Sequence, residues 1–391
     1  MIYKEFCGEK VSLLGFGTMR LPTLEGGTVD VSATREMVRY AMNSGVNYFD
    51  TAYPYHSGES EYVIGKILAE YPRESFYLAD KFPGHQTADS YDPSVIFEEQ
   101  LKKCGVDYFD FYLLHNVYEN SIDVYKDPKW NILGYFKEQK RLGRIKHLGF
   151  STHGRLDMMK DFLEFCGEDM EFCQIQLNYL DWTLQNAKEK LALLNEWNIP
   201  VIVMEPLRGG KLSKLADSDT ARLKELSPDE SPSALAFRFM HGMEGVKVIL
   251  SGMSNTAQLE ENVKTFGEER PLSDAEKEVL FEVAENIKGA VPCTACRYCV
   301  DGCPAGLDIP MLIGTYNDTV IAPTTVTVMH LEALDETKMP SACISCGLCT
   351  NICPQKIDVP DVMKKLSDTV ASLPKWSEVS RARAKEQMKY D

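Results

Sequence analysis

Short apolar runs alternate with amphipathic stretches from residue 11 to about residue 265. The stretches between the apolar runs show helical periodicity, for example at 35–43, 61–69 and 187–197. Strands that alternate with helices in this way are typical of an α/β domain with a parallel sheet. The apolar runs are rich in β-branched and aromatic residues and predict strands at 11–17, 47–51, 76–82, 109–115, 145–151, 172–178, 200–205 and 246–251.

The number of alternating elements narrows the fold class. Eight strands and eight helices within about 250 residues match the (β/α)8 TIM barrel in count and length. A doubly wound sheet is the alternative, and it carries a glycine-rich turn after its first strand. Gly15 and Gly17 end the first predicted strand, but the third glycine of that fingerprint is missing. The pattern therefore favours the barrel.

Polar side chains end most of the predicted strands. In a (β/α)8 barrel the active site is built at the carboxyl ends of the strands, where packing does not require polar residues. The residues at these ends are Asp50, Lys81, His115, Ser151, Gln174, Asn178 and Glu205. One polar strand end is most often a structural group. Six strand ends of this kind predict a site at the barrel mouth.

Eight cysteines follow the predicted barrel in two copies of one spacing. Each copy has a Cys-x-x-Cys-x-x-Cys triplet and a fourth cysteine before a proline, and the second copy repeats the first fifty residues later. This is the spacing of bacterial [4Fe–4S] ligands, in which the fourth cysteine joins the other cluster. It predicts two [4Fe–4S] clusters. The ligands are Cys293, Cys296, Cys299, Cys303, Cys343, Cys346, Cys349 and Cys353.

Two other uses of these cysteines fit the sequence less well. A disulfide framework belongs to an oxidising compartment, and the amino terminus shows no basic and apolar signal segment. A zinc site usually takes its ligands as two spaced pairs and not as a triplet plus one. The iron–sulfur interpretation is therefore preferred.

The repeat extends beyond the cysteines and sets the domain division. Asp308-Ile309-Pro310 is matched by Asp358-Val359-Pro360, and in each copy the proline suits the start of a helix. Ser273 and Glu276 form a capping box that predicts a helix to about residue 287. The predicted domains are a barrel at 1–270, a linker helix at 271–290 and a mainly α dicluster domain at 291–391, with a solvated helix from residue 376 and no prediction for 318–342.

Length and charge exclude some classes of partner. A chain of 391 residues is longer than one hydrophobic core usually supports. With 58 acidic and 42 basic residues the net charge is −16, which argues against nucleic-acid binding. No window approaches the ~18 apolar residues of a membrane span, so we expect a cytoplasmic protein without a membrane partner. The remaining cysteines, Cys7, Cys104, Cys166 and Cys173, are expected to be core or surface thiols.

Several short motifs between residues 11 and 265 occur in a recognisable order. They are Gly15-Phe16-Gly17-Thr18-Met19-Arg20, Asp50-Thr51-Ala52-Tyr53-Pro54-Tyr55, Asp80-Lys81, Tyr112-Leu113-Leu114-His115, Gly149-Phe150-Ser151, Gln174-x-x-x-Asn178, Pro206-Leu207-x-Gly209-Gly210 and Gln258-Leu259-x-Glu261-Asn262. With these motifs the chain resembles the aldo/keto reductases. Its carboxyl-terminal part resembles the dicluster α-helical ferredoxin domains, which some members of that family carry.

The resemblance implies an NAD(P)H-dependent reductase of aldehydes or ketones with a catalytic tetrad of Asp50, Tyr55, Lys81 and His115. In this scheme Lys81, held by Asp50, brings the pKa of Tyr55 toward the working range so that Tyr55 can protonate the carbonyl oxygen. His115 orients the carbonyl by donating a hydrogen bond. Tyr53 is a rival acid, but only Tyr55 lies five residues after the aspartate, as the family motif requires.

The resemblance also implies a dinucleotide across the barrel mouth. Ser151 and Gln174 are assigned to the nicotinamide carboxamide, and Glu261 and Asn262 to the adenine. The full set of implied cofactor residues is Gly17, Thr18, Ser151, Gln174, Met204, Leu207, Gly252, Ser254, Gln258, Glu261 and Asn262. Residues 251–263 contain no Lys or Arg, so NADP(H) and NAD(H) both stay open, with Arg208 or Lys264 as cations for a 2′-phosphate.

The predicted partners follow from the two kinds of chemistry. A small-molecule carbonyl compound is the expected substrate. Hydride transfer moves two electrons while each cluster passes one, so the clusters either exchange electrons with an external electron carrier or stabilise a small domain. The alternative function is a ferredoxin-like electron-transfer protein that uses the barrel as a docking scaffold. The complete tetrad favours the reductase.

Overall fold

The computed structural model describes residues 1–86, 88–288, 291, 293, 297, 299–300, 302–353 and 355–387. The chain divides into two compact units, of which the first contains Met1–Leu280 and the second Phe281–Ala382. The predicted division at residues 270 and 290 stays a prediction. No helix among the described residues is long and apolar enough to cross a membrane.

The first unit is a closed barrel of parallel strands, which confirms the predicted fold class and excludes the doubly wound alternative. The strands run in the order β10-β3-β4-β5-β6-β7-β8-β9 around the barrel. Their bounds are β3 Leu14–Gly17, β4 Tyr48–Asp50, β5 Tyr77–Phe82, β6 Phe109–Leu114, β7 Ile145–Thr152, β8 Cys173–Gln176, β9 Val201–Met204 and β10 Val246–Gly252.

An amino-terminal hairpin, which the sequence did not predict, precedes the barrel. Its strands are β1 Tyr3–Phe6 and β2 Glu9–Ser12, joined through Cys7 and Gly8 at φ 52° and 83°. Two positive φ values suit the twist of a two-residue hairpin turn. Phe6 stacks on Phe111 at 4.7 Å between ring centres, among the side chains at the starts of the barrel strands. The predicted strand 11–17 is therefore wrong at its start, because Ser12 belongs to the hairpin.

Helices follow the barrel strands and continue through the second unit. In the first unit they are α1 Val31–Asn43, α2 Glu59–Leu68, α3 Pro93–Cys104, α4 Ile122–Lys126, α5 Ile132–Arg141, α6 Leu156–Cys166, α7 Asp181–Leu184, α8 Ala187–Glu196, α9 Asp217–Leu226, α10 Pro232–Arg238 and α11 Thr256–Thr265. Helix α12, Asp274–Lys288, crosses the boundary between the units. It begins at the predicted capping box, in which the Ser273 main-chain N–H donates to Glu276 over 2.7 Å.

The second unit is mainly helical, as predicted. Its helices are α13 Ile309–Ile321, α14 Thr325–Val328, α15 Leu348–Ile352 and α16 Val359–Ser372, and it includes the first part of α17 Trp376–Gln387, whose residues from Arg383 onward are assigned to the first unit. Asp308 and Asp358 cap α13 and α16, and a proline takes a first-turn position of each helix. The two helices share an apolar core that includes Leu312, Met363 and Leu366.

Short 3-10 turns complete the described chain. They are Thr18–Arg20, Tyr55–Gly58, Arg73–Ser75, Gly167–Asp169, Arg208–Ser213, Met329–Ala333, Glu336–Lys338 and Pro340–Ala342. The last three lie in the region 318–342, where the sequence showed no clear period because no single period runs through such short turns.

A buried polar network fixes the outer face of β5 against α2 and α3. Asp80 accepts a hydrogen bond from the Lys81 main-chain N–H at 2.8 Å, and it is also hydrogen-bonded to Glu61. The Gln100 side-chain amide donates to Glu61 and to the Lys81 main-chain oxygen, both at 3.0 Å. Lys103 completes the group at 3.3 Å from Glu61. Consecutive strand residues face opposite ways, so this network lies directly behind the inward-facing Lys81 side chain.

Two carboxyl groups of the network, Asp80 and Glu61, have raised pKa values. Burial and the Glu61 charge raise the pKa of Asp80 well above its ordinary value. Burial also raises the pKa of Glu61, although Lys103 lowers it. Since Lys103 pairs with Glu61, Asp80 is the member that stays protonated.

We expect Asp80→Asn to be at least as stable as the parent protein at pH 8, because an amide replaces the protonated acid. A carboxyl whose pKa is raised on folding favours the folded state most at low pH and loses that contribution as the pH rises. The stability of the variant relative to the parent should therefore increase from pH 5 to pH 8. Asp80→Ala, which leaves the Lys81 N–H unsatisfied, should lose about 1–3 kcal/mol. Urea unfolding from pH 5 to pH 8 gives the free energy of unfolding of both variants and of the parent protein. A free energy of unfolding that falls with rising pH in Asp80→Asn relative to the parent would contradict a protonated Asp80.

Candidate active site

The carboxyl ends of the barrel strands bring the predicted site residues to one mouth. Main-chain pairing places Asp50 beside Gly17, at the ends of β4 and β3. Lys81 lies near the end of β5, and Ser151 pairs with Gln174 across β7 and β8. The polar strand ends singled out from the sequence therefore meet at the same end of the barrel.

Lys81 and Asp50 form a buried ion pair in this mouth. The Lys81 Nζ lies 2.6 Å from Oδ1 of Asp50 and 2.6 Å from the main-chain oxygen of Thr51. Lys81 is 0% exposed and Asp50 2%. Burial alone lowers the pKa of Lys81, but Asp50 and Tyr55 outweigh it and leave that pKa raised. Lys81 is therefore charged at neutral pH.

Tyr55 stands beside this cation on a constrained turn. The Lys81 Nζ lies 5.1 Å from the centre of the Tyr55 ring. The three residues that follow, His56, Ser57 and Gly58, have φ values of 51°, 56° and 95°. Side-chain-bearing residues rarely adopt this left-handed conformation, and such strain collects at functional sites. His56 is held there because its Nε2 accepts a hydrogen bond of 3.2 Å from a main-chain N–H.

The pKa of Tyr55 is shifted in the direction opposite to the one expected from the sequence. Burial raises the pKa of Tyr55, and the charge and hydrogen bond of Lys81 lower it, with burial the larger effect. The contribution of Lys81 thus has the predicted sign, but the net pKa is raised. Tyr55 therefore holds its proton at neutral pH, which is the state that an acid needs.

His115 completes the tetrad at the end of β6. Its ring meets the Tyr55 ring edge-on, with 6.1 Å between centres and 83° between planes. Burial, followed by the neighbouring His85 and Lys81, lowers the pKa of His115 well below its ordinary value. His115 is therefore a neutral imidazole, and the structure brings all four predicted tetrad residues together.

His85, in the loop after β5, is an active-site neighbour that the sequence did not single out. Its ring centre lies 4.2 Å from that of His115. Burial lowers the pKa of His85 to about 3. The available signal in the sequence was that His85 is a polar residue shortly after the end of β5. Its contact with His115 could not be predicted, because the path of that loop is not readable from the sequence.

Gln174 and Ser151 offer unused hydrogen-bonding capacity for the implied nicotinamide. The Oε1 of Gln174 is buried without a hydrogen-bond partner among the described residues, while its Nε2 lies 3.5 Å from the Met204 sulfur. The Ser151 hydroxyl oxygen accepts from the Asn116 main-chain N–H at 2.7 Å, which leaves its own hydrogen to donate. An orphaned amide oxygen beside a free hydroxyl hydrogen fits a carboxamide.

The other implied cofactor residues lie where β9, β10 and β3 end. Gly252 pairs with Gly17 there, and Leu207 precedes the 3-10 turn that follows β9. Four of them already make internal hydrogen bonds. The Thr18 hydroxyl donates to the Asp50 main-chain oxygen at 2.9 Å, and Asn262 donates to Ser251 at 2.9 Å. The Ser254 hydroxyl donates to the Arg20 main-chain oxygen at 3.0 Å, and the Gln258 Oε1 accepts from the Ser254 main-chain N–H at 2.8 Å. Ser254, Gln258 and Glu261 lie at the end of β10 and along α11.

A second polar group beyond the sequence prediction surrounds the buried Asp181. This carboxylate accepts hydrogen bonds from Gln176 at 2.7 Å and from Asn178 at 2.6 Å. Its other oxygen lies 3.5 Å from the Nε of Arg208, which is itself buried. His153 joins the same group through Gln176 at 3.1 Å. Arg208, considered from the sequence as a phosphate partner, is therefore paired with Asp181.

The second unit gathers cysteines from both copies of the repeat around an apolar pocket that opens to solvent and has a volume of about 350 Å³ with the open space at its mouth included. Cys343, Cys346 and Cys349 of the second copy line it together with Cys303 of the first. This arrangement fits a cubane with three ligands from one run and the fourth from the other. Cys293, Cys299 and Cys353 pack against the core of the same unit, and Cys296 lies outside the described residues.

Comparisons with known proteins identify the family of the barrel and of the second unit. The model of the aldo/keto reductase family matches residues 13–285, and the model of the 4Fe-4S dicluster domain matches residues 292–357. A probable aldo-keto reductase 1 of Glycine max is 27% identical over 213 residues, which are 52% of this chain and 58% of that protein. The match thus spans just over half the length of that relative.

Two further proteins resemble the barrel over most of their own length. The NADH-specific methylglyoxal reductase of Escherichia coli (strain K12) is 25% identical over 323 residues, which are 71% of this chain and 96% of that protein. The structure of the aldo-keto reductase AKR11C1 from Bacillus halodurans in its holo form matches with a TM-score of 0.60 and 26% identity, over 72% of this chain and 96% of that one. The chain belongs to the aldo/keto reductase family of NAD(P)H-dependent oxidoreductases and carries a 4Fe–4S dicluster domain after its barrel.

Proposed function

We propose that the barrel reduces the carbonyl group of a small aldehyde or ketone, with Tyr55 as the proton donor. The observation that carries this proposal is the position of Tyr55, which stands between the charged Lys81 and the neutral His115. Lys81 lies 5.1 Å from the Tyr55 ring centre and His115 6.1 Å from it. A protonated phenol next to a fixed cation and a hydrogen-bond donor is suited to protonating a carbonyl oxygen.

The roles of the tetrad follow from charge. A bound nicotinamide supplies the hydride that reduces the carbonyl carbon. His115 donates a hydrogen bond to the carbonyl oxygen and polarises it, and Tyr55 gives that oxygen a proton, so the product is an alcohol. The phenolate left on Tyr55 is stabilised by Lys81, whose position Asp50 fixes at 2.6 Å. Ser151 and Gln174 would hold the carboxamide of the nicotinamide.

We expect Tyr55→Phe to lower carbonyl reduction at least 100-fold, because general acid catalysis typically contributes about 10²–10⁴-fold. Binding of the dinucleotide should be unchanged, since that variant keeps the ring. Tyr53→Phe is the matched control: the Tyr53 hydroxyl contacts Glu99 at 3.0 Å, away from the tetrad. Steady-state rates and cofactor titration of both variants check this. Full activity in Tyr55→Phe, or loss in Tyr53→Phe alone, would assign the acid to Tyr53.

We propose NADH as the preferred cofactor. Residues 251–263 contain Glu260 and Glu261 but no cation to pair with a 2′-phosphate. Arg208 is buried against Asp181 at 3.5 Å. The Escherichia coli relative is named as NADH-specific and as acting on methylglyoxal. Small oxo-aldehydes are therefore the first substrates to test.

Parallel fluorescence titrations with NADH and NADPH check this preference. We expect NADPH to bind no more tightly than NADH, because the 2′-phosphate meets carboxylates at this edge of the mouth. Removing one negative charge by Glu261→Gln should improve NADPH binding more than NADH binding. A clear preference of the parent protein for NADPH would contradict the proposal and direct attention to Lys264.

We propose that the second unit holds two [4Fe–4S] clusters and that residues 291–391 form their domain, after a barrel at 1–270 and a linker helix at 271–290. One cluster would be bound by Cys303 together with Cys343, Cys346 and Cys349, which line the same pocket. The other would take Cys293, Cys296, Cys299 and Cys353, by the repeat of the spacing.

A redox role for the clusters is favoured over a purely structural one. The second unit has its own apolar core, with Leu312, Met363 and Leu366 each 0% exposed. A unit with such a core depends less on metal for folding than a small domain without one. Cys346 is exposed, so one cluster ligand faces solvent, where an external one-electron carrier can approach. A role as a mere docking scaffold leaves the assembled tetrad of the barrel unexplained.

We expect Cys303→Ala to remove the cluster at the second triplet while the first triplet keeps its own. The iron content should fall from about eight to about four atoms per chain, as two cubanes become one. Cys166→Ala, in the first unit, is the control and should leave the iron unchanged. Iron analysis and paramagnetic resonance of the anaerobically purified chain check this. An unchanged iron content in Cys303→Ala would contradict the assignment of Cys303 as a cluster ligand.

Anaerobic addition of NADH to the whole protein tests whether the two chemistries are coupled. Bleaching of the cluster absorbance with a new paramagnetic signal would support electron transfer from the nicotinamide site. Clusters that only a strong chemical reductant can reduce, in a chain that still turns over carbonyls, would favour a structural role.

A further inference from the structure

We propose that His85 is a positioning residue of the active site, whose ring packs against His115 and holds that imidazole in the orientation that the carbonyl oxygen needs. This inference rests on the proposed carbonyl reduction, in which His115 donates the hydrogen bond. It assigns a role to a residue of the loop after β5 that lies outside the tetrad. His85 is described as positioning because it acts through His115 and not on the substrate itself.

The first observation is that His115 lacks the usual fixing hydrogen bond. A functional imidazole is normally oriented by a partner on its other ring nitrogen. The Nδ1 of His115 is buried and has no hydrogen-bond partner among the described residues. The orientation of this ring must therefore come from packing.

Two rings supply that packing from different directions. Tyr55 meets His115 edge-on at 6.1 Å between ring centres, and His85 meets it at 4.2 Å with 61° between the planes. The shorter of these contacts is the one with His85, which is only 6% exposed. Edge-to-face ring contacts of this kind are favourable and directional. Without the His85 ring, His115 would be held from one side only.

The loop that carries His85 has anchors besides the His85 side chain, which is itself hydrogen-bonded to the His115 main chain. The Tyr125 hydroxyl lies 2.6 Å from the main-chain oxygen of His115 and 3.2 Å from that of Phe82, and so ties the loop to β6. A side chain at Gly84 would approach the Tyr125 ring to 2.7 Å, so the glycine permits this close contact. Substitution of His85 should therefore change the contact with His115 without moving the loop.

The charges around His115 give the contact a second consequence. Burial and the Lys81 charge from β5 disfavour a proton on His115 near neutral pH. His85 from the following loop and His153 after β7 add charge only at low pH, because their pKa values are lowered to about 3 and about 4. Tyr55 and Tyr125 are the other titratable groups in contact with it, and both keep their protons because burial raises their pKa values. Removal of the His85 ring would admit water beside His115 and make protonation of His115 easier.

Two substitutions separate ring packing from the chemistry of the His85 nitrogens. His85→Ala should lower kcat of carbonyl reduction about tenfold, the effect of roughly one lost ring contact, with KM for the dinucleotide unchanged. His85→Phe keeps a ring against His115 and should restore kcat to within about twofold of the parent. An unchanged kcat in His85→Ala would overturn the proposal. So would an equal loss in both variants.

A readout that does not need turnover keeps this test distinct from that of the proposed function. In the full-length chain with labelled histidines, the His115 resonance is identified by its disappearance in His115→Phe. We expect it not to titrate between pH 5.5 and 8 in the parent and in His85→Phe, and to titrate in His85→Ala. Titration of the His115 resonance in the parent protein, or no titration of it in His85→Ala, would overturn the proposed role of His85. If none of the proteins reduces a carbonyl compound, the proposed function fails while the resonance still decides the role of His85.

Discussion

A lysine charge buried at the mouth of the barrel is the constraint on which the rest of the site depends. An ammonium group in a site with 0% exposure is tolerated only when it is paired and hydrogen-bonded. Asp50 and the Thr51 carbonyl meet this need from the neighbouring strand, each at 2.6 Å. On the opposite face of β5, Asp80 keeps its proton and bonds to the Lys81 main chain. A single strand thus carries a cation inward and a neutral acid outward.

The same cation determines which groups near it stay neutral. Burial and Lys81 together disfavour protonated His115, and burial keeps the proton on Tyr55 in spite of Lys81. The tetrad therefore contains one ion pair and two neutral hydrogen-bond donors, which is an arrangement ready to receive the negative charge that develops on a carbonyl oxygen. The side proposed for the nicotinamide is uncharged, because Ser151 and Gln174 contribute a hydroxyl and an amide. The ion pair of Lys81 and Asp50 therefore lies beside Tyr55, where the proposed reaction would generate negative charge.

The sequence predicted the elements with long-range periodicity and missed those that depend on local geometry. Eight alternating strands and helices were enough for the barrel, while the tetrad of Asp50, Tyr55, Lys81 and His115 came from the family resemblance and stays a prediction. The hairpin at residues 3–12 was missed because strands of four residues are too short for alternation to show. His85 was missed because contact with His115 depends on the path of a loop. The raised pKa of Asp80 arises from burial against Glu61, which no pattern in β5 reveals.

The two copies of the cysteine repeat are brought together in the second unit, as the spacing predicted, and they also share a core. Cys303 of the first copy lies in the pocket lined by the triplet of the second, and helices α13 and α16, one from each copy, share a single core. Each copy of about fifty residues therefore contributes one helix to a core that neither copy has alone. If the clusters are bound as proposed, each copy also lacks a complete ligand set, and metal binding and packing would favour the same pairing of the two copies. Binding free energy that appears only in the folded state would then contribute to folding. We therefore expect the duplicated segment to unfold as one cooperative unit and not as two small domains in tandem.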